Sequence, residues 1–114
     1  MTLLPHADDA IVEEQKLTGY LLNPDHPRGK AGFFLALGYT AAAWQVLRAD
    51  LLTLARTQPL RSQTASPYGT KYIIEGTLTG PAGRSARIRT VWIIEPPQPY
   101  PRLVTAHPLK GAAP

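Results

Sequence analysis

Eight side chains in this 114-residue sequence stand out as candidates for proton transfer or anion binding. His26, Arg28 and Lys30 lie in the run NPDHPRGK. Lys71, Arg87 and Arg89 lie in TKYIIEGTLT and SARIRTVWIIE, and Thr105 and His107 in LVTAHP. Histidine gains and loses a proton near neutral pH. Arginine grips phosphate oxygens with a charged planar fork, and Lys or Thr completes an anion clamp. Other chemistries fail on residue type or spacing. The chain has no cysteine, which removes thiol nucleophiles, disulfides and Cys-based zinc sites. His6, His26 and His107 have no paired metal-ligand spacing. The Gly29-Lys30 pair lacks the first glycine and the following Ser or Thr of a phosphate loop, and no Gly-x-Ser-x-Gly elbow occurs. An acid–base set without metal or cofactor remains. It suits RNA cleavage, where the substrate's own 2′-OH is the nucleophile. The protein then has to take that proton, neutralise charge on the phosphate and protonate the leaving 5′-oxygen.

Each of these residues also has an ordinary reading. Asn, Pro, Asp and Gly make NPDHPRGK a helix-ending turn, in which His26 is simply exposed. Arg87 and Arg89 fit the solvated face of a strand, and Thr105 and His107 fit common strand positions. Lys30 opens a helix, where a cation is poorly placed for the dipole. Trp44 and Trp92 belong to a core.

The elements that must position them follow from periodicity. Residues 1–10 read as a loose arm. Ile11, Val12, Leu17, Tyr20 and Leu21 roughly follow helical spacing, which predicts a helix over about 12–22, ended by Asn23-Pro24. KAGFFLALGY predicts a short buried helix over about 30–37, stopped by Gly38. Trp44, Leu47, Leu51 and Leu54 predict a helix over about 41–57, with Thr40 as its N-cap. From Pro59 onward the chain is rich in Ile, Val, Thr, Tyr and Trp. Turn material divides it into strands over about 60–66, 70–79, 85–95 and 101–107. Helices followed by an antiparallel meander make an α+β fold in a single domain, with the helices on one face of the sheet. The GPAGR turn places Glu75 opposite Arg89 and Thr77 opposite Arg87. Lys71, Glu75, Arg87 and Arg89 then share one face, and Tyr72, Ile74, Ile88, Thr90 and Trp92 the other.

Composition narrows the class. Apolar residues form 44% of the chain, enough for a core and too many for disorder. Residues 1–25 hold five acids and one base, a net −4, whereas residues 26–114 hold eleven Lys and Arg against three acids, a net +8. A basic domain behind an acidic leader suits a polyanion such as RNA or an acidic protein. With no secretory leader pattern and no membrane-length apolar run, the expectation is a soluble cytoplasmic protein that does not engage a membrane.

KLTGYLLNPDHPRGKAGFFLALGYT, PYGTKYIIEGTLTGPAGRSARIRTVWII and PRLVTAHP together resemble the DUF6883 family of small bacterial proteins over about 12–108. His107 stands where that pattern more often has Tyr, as a substitute or a spectator. The layout of helices and sheet also resembles, more distantly, the RelE-, barnase- and EndoU-like (BECR fold) ribonucleases of toxin–antitoxin systems. That resemblance implies a metal-independent ribonuclease toxin with His26 as general base or acid. Lys30 and Arg89 would neutralise phosphate charge and Thr105 would position the phosphate. Arg28, Lys71 and Arg87 would bind the RNA backbone. It also implies a small acidic antitoxin or other neighbouring-operon protein as partner. The alternatives are a non-catalytic RNA- or protein-binding module and a structural subunit of a larger complex.

Overall fold

The structure is a computed structural model that describes residues 2–26 and 30–109. Helices come first and strands second. A short α1 (Glu14–Lys16) runs directly into a wider π-helical turn (Leu17–Leu21); α2 (Ala31–Ala36) and α3 (Trp44–Thr57) follow. The strands β1 (Leu60–Ser66), β2 (Gly69–Thr79), β3 (Ser85–Ile94) and β4 (Arg102–Pro108) form one antiparallel sheet in sequence order. The α+β reading therefore holds.

The period of two on β2 and β3 sorts the side chains as alternation requires. Tyr72, Ile74, Leu78, Ile88, Thr90 and Trp92 are buried, and Leu47, Leu51 and Leu54 of α3 share their core. The long α3 is amphipathic because its leucines recur at helical spacing. It begins three residues later than its pattern predicts. Thr40 Oγ1 accepts the Ala43 N–H at 3.1 Å, closing a turn ahead of the helix rather than capping it. Gly38 stops α2 as expected, with φ of 101°. The N–H groups of Gly38 and Tyr39 satisfy the Leu35 and Phe34 carbonyls at 2.9 and 3.2 Å, the paired bonds of a Schellman stop. The Leu37 carbonyl takes the Ala82 N–H of the β2–β3 turn, so this stop also ties α2 to the sheet.

Two further expectations change. Residues 2–10 are not a loose arm. Leu4 is buried, the Thr2 carbonyl accepts the Leu60 N–H at 2.7 Å, and Arg56 donates to the carbonyls of Ala7 and Asp8. The arm is held because it covers apolar surface beside α3 that would otherwise meet water. The first helix is shorter than 12–22. Ile11 instead lies alongside β4, bonded to Pro101 and Leu103, and extends the sheet by one residue.

The sheet carries one irregularity that matters for the site. Val91 pairs with Thr105, but Trp92 pairs with Leu103, so β4 bulges at Val104. The bulge lets Leu103 and Ala106, three residues apart, both enter the core. It leaves Thr105 and His107 together on the opposite face.

Candidate active site

Cross-strand register brings three chemically active side chains into one row. Glu75 on β2 pairs with Arg89 on β3, and Arg89 pairs with His107 on β4. Neighbouring strands lie about 4.8 Å apart, so the row places a carboxylate, a guanidinium and an imidazole within roughly 10 Å. Glu75 Oε2 accepts a hydrogen bond from Arg89 Nε at 2.8 Å, and Arg89 Nη2 stands 2.6 Å from the same oxygen in an ion pair. Arg61 Nε stands 3.7 Å from the other carboxylate oxygen. This charge-assisted bond and the ion pair beside it hold the guanidinium against the carboxylate.

The second half of the site comes from the helices. Leu22 N–H reaches back to the Leu17 carbonyl at 2.7 Å, the wide ring of a π turn. Leu17 and Leu21 face the core from this turn, and Tyr20 projects to the sheet's other face. Its phenol oxygen accepts from Lys30 Nζ at 2.7 Å and shares a hydrogen bond of 3.1 Å with Thr105 Oγ1. The Lys16 and Lys30 ammonium groups lie 5.7 and 5.1 Å from the Tyr20 ring centroid. The turn at Asn23 places His26. Asn23 Oδ1 accepts the Asp25 N–H at 2.9 Å, and the Asn23 carbonyl accepts the His26 N–H at 3.2 Å. The His26 ring then meets the Tyr20 ring edge to face, centroids 4.7 Å apart.

The two halves meet electrostatically. Burial holds the His107 imidazole below its ordinary value, and the charges of Lys30 and Arg89 push it the same way, against the Glu75 carboxylate. His107 is therefore neutral, and able to accept a proton, over a wider pH range than a free histidine. Burial alone raises the Tyr20 phenol. Hydrogen bonds to Lys30 and Thr105, with the charges of Lys30 and Lys16, outweigh it and leave the phenol below its ordinary value. Such a cluster can bind an anion and exchange protons with it.

Of the residues expected from sequence, the structure gathers His26, Lys30 and Thr105 around Tyr20, with Arg89 and His107 in the adjoining row. Arg87 is exposed on the same face, two residues or about 7 Å along β3 from Arg89. Lys71 is exposed four residues from Glu75 on β2, about 13 Å away, and stands apart from the cluster. Arg28 lies outside the described residues. From sequence Tyr20 is only a position in the first helix pattern, and His107 is a substitute for the commoner Tyr or a spectator. The spacing of two between Thr105 and His107 puts both on one face.

A cleft of about 540 Å³ opens beside the cluster, with Tyr20, His26 and Thr105 on its wall. Among the described residues, no three His, Asp or Glu side chains stand close enough to hold a metal ion, and no helix is long and apolar enough to cross a membrane.

The family described as a domain of unknown function, DUF6883, matches residues 3–110. A search among curated proteins gives no match. Among solved structures, a chain of a contact-dependent growth inhibition toxin–immunity protein complex from Klebsiella pneumoniae 342 is similar at a TM-score of 0.72 and 17% identity, over 87% of this chain and 99% of that one. At that identity the likeness establishes a shared fold.

Proposed function

The chain belongs to the DUF6883 family, and on that premise we propose that it is a toxin-like ribonuclease that cleaves RNA through attack by the substrate's 2′-OH. The observation that carries this is the convergence of Lys30, Tyr20 and Thr105 beside the Glu75–Arg89–His107 row. It supplies an anion clamp, a neutral base and a second histidine on one face. His107 takes the 2′-OH proton, since its environment keeps it unprotonated. The 2′-oxygen bonds to phosphorus, the bond to the 5′-oxygen breaks, and His26 protonates that oxygen. The products are a 2′,3′-cyclic phosphate and a 5′-hydroxyl. Arg89 and Lys30 balance the charge that builds on the phosphate, while Thr105 and the Tyr20 phenol position its oxygens. Glu75 holds Arg89 in place. Arg87 and Lys71 extend positive charge along the outward face for the RNA backbone.

The fold shared with a chain of a toxin–immunity complex supports both the toxin-like role and a protein partner. An acidic protein would suit the net +8 of residues 26–114 and block RNA from the same face. The test is purified protein with labelled RNA. Cleavage ending in 2′,3′-cyclic phosphate is expected, and a loss of at least a hundredfold in His26→Ala and Arg89→Ala. Intact RNA, or equal cleavage by both variants, overturns the assignment. Salt-dependent RNA binding without cleavage would instead indicate a binding module.

A further inference from the structure

The cleft beside Tyr20 is larger than a phosphate requires, and part of its lining has no role in proton transfer. At about 540 Å³ it falls in the size range of small-molecule sites. Tyr20, His26 and Thr105 belong to both the cleft and the reacting cluster, so whatever fills the cleft sits next to the bound phosphate. Glu13, Gln15 and Lys16, from the start of α1, form the rest of its polar lining.

Gln15 folds back over the turn that follows α1. Its amide lies directly on the backbone of Gly19, where a Cβ would stand 2.2 Å from Nε2 and 2.8 Å from Cδ. Any other residue at position 19 would evict it. Arg102 Nη1 lies 3.3 Å from Glu13 Oε1, which steadies that carboxylate at the cleft's rim. The amide offers a donor and an acceptor, and the carboxylate accepts only. Lys16 in the lining, and Lys30 on the neighbouring Tyr20, add positive charge.

We propose that this cleft is a nucleobase subsite, in which Gln15 and Glu13 read the hydrogen-bonding edge of the base next to the cleaved bond. The proposal rests on the ribonuclease reading above. The donor–acceptor pattern selects a base with an exocyclic amino group beside a ring or carbonyl acceptor. Glu13 takes the amino hydrogens and the Gln15 amide donates to the acceptor. Adenine, cytosine and guanine carry that pattern; uracil lacks the amino group.

The probes are the four 3′-nucleoside monophosphates, titrated into the full chain and followed by NMR, together with the four corresponding dinucleotides as cleavage substrates. Uridine monophosphate should bind weakest, and at least one amino-bearing nucleotide about tenfold tighter, with shifts at the Gln15 side-chain amide. Gln15→Ala should erase most of that difference. Gly19→Ala should do the same by displacing the amide, in a variant whose helix propensity rises rather than falls. If RNA is cleaved but all four nucleotides bind alike, or both variants keep the wild-type preference, the subsite is refuted and the ribonuclease stands. Base-selective binding without cleavage would leave the subsite and overturn the ribonuclease. No binding and no cleavage would overturn both.

Discussion

Tyr20→Phe removes one oxygen atom from the point where helix and sheet meet. The ring stays, with its edge contact to His26 and the two ammonium groups near its face. Two hydrogen bonds go: the charge-assisted bond from Lys30 at 2.7 Å and the neutral bond with Thr105 at 3.1 Å. Buried, these would contribute about 1.5–3 and 0.5–1.5 kcal/mol. The site is only partly buried, so water recovers some of each, and the net loss of stability should be about 1–2 kcal/mol. Chemical denaturation should show it as an earlier midpoint at unchanged m. Lys30 also loses the acceptor that aims its ammonium group. A positioning loss of about 1.4–2.7 kcal/mol corresponds to a ten- to hundredfold fall in kcat/KM on RNA. A spectroscopic readout is independent of both. Ultraviolet pH titration of wild type minus Tyr20→Phe isolates one phenol, which should ionise below the ordinary value of 10.0. A difference spectrum that titrates at or above that value, or a variant with unchanged midpoint and unchanged cleavage, would refute Tyr20 as the hub.

His107→Gln should reduce RNA cleavage by about 10²–10⁴-fold if His107 is the base, and the wild-type pH–rate profile should rise with a midpoint below the ordinary 6.5. The same residue links stability to pH. Because its folded pKa is lowered, its contribution is complete above 6.5 and is lost as pH falls through the lower folded value. Denaturation at several pH values should show a shallower acid loss in His107→Gln, and an identical loss would contradict the linkage. Thr90→Val tests the core beneath the site. Thr90 Oγ1 donates to the Ile74 carbonyl at 2.9 Å and accepts the Trp92 indole N–H at 2.8 Å, with all of it buried. Valine keeps the shape but strands the indole donor, so a loss of about 1–3 kcal/mol is expected in a urea titration, and no loss would show that the indole has another partner.

Much of the fold was legible because its determinants are local. The GPAGR turn sets the β2–β3 register, and Glu75 does face Arg89 and Thr77 does face Arg87. Alternation along β2 and β3 separates core from outward face, and Gly38 stops α2 by its own conformation. These follow from a turn, a period of two and a left-handed residue, all within a few positions. The helix boundaries were less legible. A π turn replaces part of the first helix, and the arm before it is recruited to the sheet and α3 by distant partners.

The candidate site divides the same way. Residue types marked a wider set of acid–base and anion-binding groups and ruled out thiol chemistry, and the family resemblance singled out His26, Lys30, Arg89 and Thr105 among them. That is as far as composition and local pattern reach, because they carry which groups exist and which face a strand presents. Tertiary structure decided which groups meet. Tyr20 joins Thr105 from 85 residues away, and the β4 bulge at Val104 sets Thr105 and His107 opposite Val91 and Arg89. The lowered proton affinity of His107 comes from burial and from the charges of Lys30 and Arg89, neither of which is its sequence neighbour. A proton affinity is set by what surrounds a group in space, and only the folded chain supplies those surroundings.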